Sequence, residues 1–444
     1  MSFIFPRAPG KNHCPPPFLN CSGDVTYLDS LEKELKQWEQ SALIRSLRHE
    51  PNLLDFSSND YLCLNRDGSH FRLLQDVIAR QNQPMVGLPE DANYKSTKAQ
   101  NGDGPRMTTS DPDPRNVPFG STGSRLIRGH WPSFERAEKA FSAWIQAPAA
   151  LLFQSGYAAN VGALSSLTGP GHQVFCDRLC HASLLDGVRL SGAGKHYYDH
   201  NDLNHLEDLL KTRKARKGRW ILSESVFSMD GDTPDLAGLL TLCEQYSATL
   251  FLDEAHALGY YGSNESPGGG LLAHLRDKES STERIFERVI ISAPLGKAPG
   301  LMGGFVAGHP TLCKYLLNRA RSFVFSTAQP PILAEMIFEI ATRFARGEYN
   351  DRIERLQRNA NTLRGLMQER GWQTPSQSAI VPLIVGDPSR ALELSGALQQ
   401  KGMDVRAIRP PTVARNSSRL RITVHSCHSR DQLEALLDTM QQYN

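Results

Sequence analysis

Residues 249–256 are TLFLDEAH, a short apolar run that ends in acidic residues and a histidine. Five more such runs lie between residues 149 and 308, alternating with turns and stretches of helical spacing. Runs that are apolar at nearly every position are typical of strands buried on both faces, and their alternation with helices indicates a mostly parallel sheet. The six predicted strands are Ala149–Phe153, Gln173–Cys176, Trp220–Ser223, Thr249–Leu252, Val289–Ser292 and Gly304–Ala307.

The pattern changes on either side of this region. A helical passage over Pro330–Arg370 leads to a unit with predicted strands at 379–385 and 420–424 and helices at 389–401 and 430–442. A helix is also predicted over Tyr27–Leu47, and the polar, Gly- and Pro-rich stretch 82–118 is predicted to be a mobile surface insertion. We therefore divide the chain into an N-terminal arm and helix (1–50), a large domain (51–325) and a small α+β C-terminal domain (326–444).

Composition narrows the class of protein. The 444 residues include 49 Lys and Arg against 47 Asp and Glu, and the formal net charge of +2 favours neither nucleic acid nor a membrane surface as partner. The N-terminus lacks the apolar core of a signal peptide, which favours a cytoplasmic protein. The eight cysteines are scattered without a CxxC pair, so we expect reduced thiols and no metal site.

Polar side chains follow five of the predicted strands. Ligands of such sheets bind beyond the carboxyl ends of the strands, so these positions are where a site is expected. Small residues that open a helix leave backbone amides and the positive end of the helix dipole for an anion. The positions are Ser155, Gly156 and Tyr157 after the first run, His181 after the second, Glu224 and Ser228 after the third, Asp253 and His256 after the fourth, and Lys297 between Gly296 and Gly300 after the fifth.

Together with DFSSNDYL at residues 55–62, these motifs resemble the α-oxoamine synthase family of enzymes that use pyridoxal 5'-phosphate (PLP). The resemblance extends from about Asp55 to Leu437. It implies PLP-dependent fold type I, an α/β fold with a mostly parallel central sheet in the large domain and a smaller C-terminal domain. It also implies a homodimer whose substrates are an amino acid and an acyl thioester carried by CoA or acyl carrier protein.

The resemblance also implies a role for each motif residue toward PLP. Lys297 would carry the cofactor as a Schiff base and act as the base at the substrate Cα, Asp253 would pair with the pyridine nitrogen, and His181 would stack on the ring. His256 and Ser228 would contact the phenolic oxygen. The other implied cofactor-binding residues are Ser155, Gly156, Tyr157, Glu224 and, reaching the phosphate of the neighbouring subunit, Thr327 in the segment Phe325-Ser326-Thr327.

A second set of residues is implied for the substrates. Arg421 would clamp the amino-acid carboxylate through its bidentate guanidinium. Arg45, Asn59, His181 and Thr412 match further substrate contacts of the family. The phrases DRLCHASLLDGVRLSGA (177–193) and AIRPPTV (407–413) resemble the 8-amino-7-oxononanoate synthase branch, which implies L-alanine, a pimeloyl thioester and a place in biotin biosynthesis.

Three positions depart from the family pattern. Pro294 replaces a threonine that donates to the phosphate, Ala257 replaces a glycine, and the loop after residue 413 lacks the usual proline-rich turn. These departures are compatible with a diverged enzyme of specialised metabolism that uses another acyl donor. Two further alternatives stay open from the sequence, namely a different PLP reaction such as transamination and a non-catalytic partner subunit.

Overall fold

The computed structural model describes residues 27–40, 44, 47, 52–81, 117–276 and 285–443. The chain forms two compact units, Met1–Pro51 and Asn52–Asn444. Helix α1 spans Tyr27–Gln40 in the first unit, inside the predicted stretch, and its Leu, Glu, Lys and Gln residues are good helix formers. The predicted insertion lies outside the described residues except for positions 117 and 118.

The first part of the second unit contains a seven-stranded sheet and one short strand, the first, that lies outside it. Its strands as far as Gly308 are β1 (Leu54–Asp55), β2 (Ala149–Phe153), β3 (His172–Asp177), β4 (Gly194–Tyr198), β5 (Gly218–Glu224), β6 (Ala248–Asp253), β7 (Val289–Pro294) and β8 (Gly304–Gly308). The helices between them are α2 (Ser69–Gln81), α3 (Pro132–Trp144), α4 (Gly156–Leu167), α5 (Ala182–Ser191), α6 (Leu203–Thr212), α7 (Leu236–Gln245) and α8 (Leu271–Arg276), with a 3-10 turn at Ile285–Glu287.

The sheet has the strand order β2-β8-β7-β6-β5-β3-β4. Strands β3 to β7 pair in parallel, whereas β8 is antiparallel to both β2 and β7. The mostly parallel sheet predicted from the apolar runs is therefore confirmed. Strand β4 was not predicted because it carries Lys195, His196 and Tyr197 at the edge of the sheet, where its side chains alternate between half-buried and exposed.

The C-terminal part contains a second, smaller sheet. Its elements are α9 (Pro310–Arg319), α10 (Arg321–Val324), α11 (Pro331–Ala345), α12 (Asn350–Glu369), β9 (Ile380–Gly386), α13 (Pro388–Gln400), β10 (Met403–Asp404), β11 (Arg406–Ile408), β12 (Ser418–Thr423) and α14 (Arg430–Gln442). Strands β11, β12 and β9 form an antiparallel sheet in that order. Strand β1 pairs in parallel with β10, so residues 54–55 join the C-terminal part. The domain boundaries proposed from sequence stay predictions.

Hydrophobic side chains cover both faces of the large sheet. Along β2, Leu151 and Phe153 belong to one buried cluster and Leu152 to the other, as expected when successive side chains point to opposite faces. On the Leu152 face, the rings of Phe141 and Phe305 stack with centroids 3.9 Å apart. Burial on both faces leaves the strand ends as the exposed part of the sheet, where polar residues can be held on a rigid frame.

Cys63 and Cys427 form a disulfide, so the expectation of reduced thiols is wrong for this pair. The two residues are 364 positions apart in the sequence, and no local spacing rule could have paired them. They meet because the backbone amide of Ser426 donates to the carbonyl of Tyr61 at 2.8 Å, which holds the two segments together. Among the described helices, none is long and apolar enough to cross a membrane.

Candidate active site

A cavity of about 240 Å³ opens at the carboxyl ends of the central strands. Its walls come from the start of α4, the loop before α5, the ends of β5 and β6, and the β7–β8 connection. Eight of the residues predicted from sequence line it: Ser155, Gly156, Tyr157, His181, Glu224, Asp253, His256 and Lys297. The remaining lining residues are Asn160, Ser183, Ala255, Pro294, Gly296, Met302 and Gly303.

Lys297 is the basic group of this cavity. It lies on the turn between β7 and β8, where the amide of Gly300 donates to the Lys297 carbonyl at 2.8 Å and Gly300 has a φ of +66°, a conformation that favours glycine. Burial lowers the pKa of the Lys297 ammonium, although the carboxyl groups of Asp253 and Glu224 oppose the shift. A lysine with a lowered pKa presents more free amine near neutral pH, which is the form that attacks a carbonyl.

Asp253 is buried at the end of β6 and is held on both oxygens. Its Oδ1 accepts from the Ala255 amide at 3.0 Å, and its Oδ2 accepts from Asn160 Nδ2 at 2.7 Å. The same Asn160 nitrogen donates to Ser183 Oγ, which lies 2.7 Å from His181 Nδ1. One connected network therefore fixes both the acid and the histidine at the cavity wall.

Glu224 is a second buried carboxyl group on the same strand ends. It is 3% exposed, and its Oε1 accepts from the His181 amide at 2.6 Å. Burial, reinforced by the nearby Asp253 carboxylate, raises the pKa of Glu224 well above its ordinary value. The neutral form of Glu224 therefore persists to a higher pH than that of an exposed glutamic acid.

The amino end of α4 forms another wall of the cavity. Ser155 caps this helix by accepting from the Ala158 amide at 3.1 Å. Gly156 faces Pro294, and a Cβ at Gly156 would lie 2.5 Å from the Pro294 ring, so only glycine fits there. Free amides and the helix dipole at this end suit an anion, while Pro294 brings no hydroxyl and no backbone donor to it.

A chain of polar side chains links the C-terminal sheet to His256. Arg421, on β12, donates to the Ser228 carbonyl at 2.7 Å and to Asn59 Oδ1 at 3.0 Å. Tyr61 Oη lies 3.3 Å from that Asn59 oxygen and 2.6 Å from His256 Nδ1. Arg421, predicted to clamp the amino-acid carboxylate, and Asn59, predicted as a further substrate contact, are thus in one network with the cavity histidine.

Hydrogen bonds and an ion pair connect the loop of residues 228–232 to strands of both sheets. Asp232 accepts from His200 Nε2 at 2.8 Å, and the other nitrogen of that ring lies 2.9 Å from Asp177 Oδ1 at the end of β3. Burial of the ring opposes its charge, but the hydrogen bonds to the two aspartates dominate and raise the pKa of His200 to about 10. On the opposite side, Asp230 pairs with Arg419 of β12.

Six residues predicted for the site lie away from the cavity wall or outside the described chain, and two of them, Asn59 and Arg421, belong to the network described above. Ser228 contributes its carbonyl to Arg421, as above. Thr327 is exposed, and its carbonyl accepts from Gln154 Nε2 at 3.1 Å. Thr412 is exposed in a turn in which its amide donates to the Arg409 carbonyl. Arg45 lies outside the described residues.

Sequence reasoning missed three residues that organise the site: Asn160, Ser183 and Tyr61. A signal existed for two of them, because Asn160 is one helical turn after Gly156 and Ser183 is two residues after His181. Tyr61 stands within the DFSSNDYL motif, but its contact with His256 joins positions 195 apart in sequence.

Comparisons with known proteins agree on one family. The model of the aminotransferase class I and II family matches residues 51–440. An 8-amino-7-oxononanoate synthase of Acidithiobacillus ferrooxidans is 38% identical over 395 residues, 89% of each chain. Two solved structures share the fold: a serine palmitoyltransferase from S. paucimobilis with a bound PLP–myriocin aldimine (TM-score 0.75, 21% identity, 95% of this chain and 98% of that one), and an 8-amino-7-oxononanoate synthase from Francisella tularensis (TM-score 0.66, 24% identity, 88% and 97%).

Proposed function

The chain belongs to the aminotransferase class I and II family, with 8-amino-7-oxononanoate synthases among its relatives, and on this premise we propose that it is a PLP-dependent acyltransferase. The observation that carries the proposal is the grouping of Lys297, Asp253, His181 and Glu224 around one cavity at the strand ends. It supports catalysis over the non-catalytic subunit left open by the sequence, because a binding partner would not need a lysine of lowered pKa facing an oriented carboxylate.

The cavity residues fit PLP. Bound PLP withdraws electrons from the amino-acid Cα and so stabilises a carbanion there. The Lys297 amine would hold its aldehyde, Asp253 its ring nitrogen, and the amino end of α4 its phosphate. Asn160 supports this fit, because its buried Oδ1 has no hydrogen-bond partner among the described residues while its Nδ2 holds Asp253.

The residues around the cavity have different proposed roles in the reaction. Arg421 and Asn59 would orient the amino-acid carboxylate, and the Lys297 amine would remove the Cα proton. Asp253 would pair with the ring nitrogen, and its hydrogen bonds from the Ala255 amide and Asn160 Nδ2 would hold it in place without reorganisation during the reaction. Glu224, whose pKa is raised by burial and by the Asp253 carboxylate, would hold the backbone of His181 in place through its Oε1.

We assign L-alanine and a pimeloyl thioester as the substrates, because residues 177–193 and 407–413 resemble the 8-amino-7-oxononanoate synthase branch and a relative carries that name. A new carbon–carbon bond forms between the alanine Cα and the thioester carbonyl carbon, and the thiolate leaves as the free thiol. The alanine carboxyl group leaves as CO2, and the other product is 8-amino-7-oxononanoate, a precursor of biotin.

The enzyme is proposed to act as a homodimer with Thr327 of each subunit directed to the other's cavity. Large apolar side chains are exposed in this region: Phe325 is 73% exposed, and Met302, which lines the cavity, is 64% exposed. Ile127, on a loop joined to residue 328 by the Gly123–Ala328 hydrogen bond, is 86% exposed. Exposed apolar groups of this size are typical of an interface. Sedimentation should show a dimer, and a fully active monomer would contradict the proposal.

The activity is tested by product analysis with a matched variant. Purified enzyme, PLP, alanine and pimeloyl-CoA should yield CO2, free CoA and a product with the mass of 8-amino-7-oxononanoate, and Lys297→Ala should yield none. Borohydride reduction followed by peptide mapping should find the pyridoxyl label on Lys297. Formation of a keto acid from alanine without thioester cleavage would instead identify a transaminase, and a label on another lysine would overturn the site.

A further inference from the structure

His256 is held by a tyrosine from a distant part of the chain. Tyr61 has no exposed surface, and its hydroxyl lies 2.6 Å from His256 Nδ1. Since His256 lines the cavity and its Nδ1 is occupied by Tyr61, Nε2 is the ring nitrogen left for a ligand. The position of the single imidazole proton therefore decides whether the cavity meets a donor or an acceptor.

Both groups are neutral near pH 7. Burial raises the pKa of Tyr61 to about 12, so the phenol keeps its proton. Burial also lowers the pKa of His256 well below its ordinary value, and the positive charges of Lys297 and Arg421 reinforce the shift. A neutral phenol and a neutral imidazole share one hydrogen bond, and two arrangements of its proton are possible.

The geometry favours one of these arrangements. If Tyr61 donates to Nδ1, the short contact joins the more acidic O–H to the basic nitrogen, and the His256 proton is on Nε2. If Nδ1–H donates instead, the hydroxyl must turn to Asn59 Oδ1, which is 3.3 Å away and already accepts from Arg421 at 3.0 Å. The second arrangement keeps the 2.6 Å contact as an N–H···O bond, which is shorter than such bonds usually are but ordinary for an O–H donor, and it adds only the long bond to an oxygen that Arg421 already occupies.

We propose that Tyr61 is a positioning residue that holds His256 as the Nε2–H tautomer, so that a fixed hydrogen-bond donor faces the cavity. The tautomer follows from the protein's own contacts, and only the identity of the acceptor, the phenolic oxygen of PLP, rests on the proposed function. Without the Tyr61 hydroxyl, the His256 ring can adopt the Nδ1–H tautomer. Its Nε2 would then face the phenolic oxygen of PLP as an acceptor, although that oxygen needs a donor.

The tautomer is measured directly by nitrogen NMR. Full-length protein labelled with 15N-histidine, as purified, should give a His256 signal with a protonated Nε2 and an unprotonated Nδ1, assigned by its loss in His256→Gln. Tyr61→Phe should change this pattern. Tyr198→Phe is the matched control, because Tyr198 is also buried and its hydroxyl donates to the Leu222 carbonyl, away from His256.

A second measurement follows the loaded enzyme. The pH dependence of the visible absorption band of bound PLP should shift in Tyr61→Phe and should be the same as wild type in Tyr198→Phe. The kcat of Tyr61→Phe should fall about tenfold, as for other residues that orient a functional histidine. A wild-type His256 protonated on Nδ1 would overturn the proposal even if no variant folds. Equal effects of the two tyrosine variants would also overturn it. Failure of PLP binding would contradict the proposed function and leave the NMR result valid.

Discussion

Stability should fall as pH rises from 6.5 to 10, because His200 is charged in the folded chain. The hydrogen bonds of its ring to Asp177 and Asp232 raise its pKa to about 10, against an ordinary value near 6.5. In this window the folded state holds a proton that the unfolded state has lost. The contribution is therefore fully present below pH 6.5 and is lost as pH rises through the folded pKa.

The size of the effect follows from the same numbers. One proton changes the unfolding free energy by at most about 1.4 kcal/mol for each pH unit. The His200 side chain is 25% exposed, so solvent weakens its ion pairs, and we expect a loss of about 2 kcal/mol between pH 6.5 and 9. Denaturant unfolding at fixed PLP concentration would measure it, with the disulfide intact.

His200→Gln keeps hydrogen-bonding capacity but cannot titrate in this range. Its unfolding free energy should be lower than wild type by about 2 kcal/mol at pH 6.5, and the difference should shrink toward pH 9. His205→Gln is the control for the loss of a histidine beside an aspartate, because His205 Nδ1 lies 3.2 Å from the half-exposed Asp199. Parallel curves for wild type and His200→Gln would refute the reasoning. Because the same loop holds Arg421, His200→Gln should also raise the KM for the amino acid.

Three other predictions concern single sites. Asp253→Asn should fold like wild type yet lose at least about a hundredfold in kcat, since the ring nitrogen loses its counter-charge; activity within a few-fold of wild type would show that another group sets its protonation. Pro294→Thr should tighten PLP about ten- to a hundredfold in equilibrium titration by restoring one donor to the phosphate, and equal dissociation constants would mean that a water or Ser292 already replaces it. Burial lowers the pKa of His425 to about 4 and of His428 to about 2, so unfolding free energy should drop as pH falls below 6.5, by up to about 1.4 kcal/mol per pH unit for each ring; a flat profile between pH 6.5 and 5 would contradict this.

The sequence predicted those parts of the fold that rest on local pattern. The six apolar runs all form strands, because burial on both faces makes their central positions apolar. Strand β4 was not predicted because it is an edge strand that carries Lys195 and Tyr197 and therefore contains no apolar run. Strand β1 was missed for a different reason, since its pairing with β10 is a long-range contact of two residues.

The candidate site likewise contains residues that local sequence pattern predicts and residues that it does not. Residues that follow strand ends, such as Lys297 and Asp253, are predicted from sequence because the carboxyl ends of parallel strands meet at one edge of the sheet. The residues that orient them are joined across long separations, 93 positions from Asn160 to Asp253 and 195 from Tyr61 to His256. A single sequence does not show which distant residues will be in contact. These contacts form only when the whole unit packs.

The bond between Cys63 and Cys427 closes most of the chain into a covalent ring. Any single peptide-bond cleavage between these two residues, for instance by a protease, opens the ring without releasing a fragment. A nicked enzyme would migrate as one species on a non-reducing denaturing gel and separate into two only after reduction. Such a molecule could retain Tyr61 beside His256 after its backbone is cut, because the crosslink joins the segment that carries Tyr61 to the C-terminal turn.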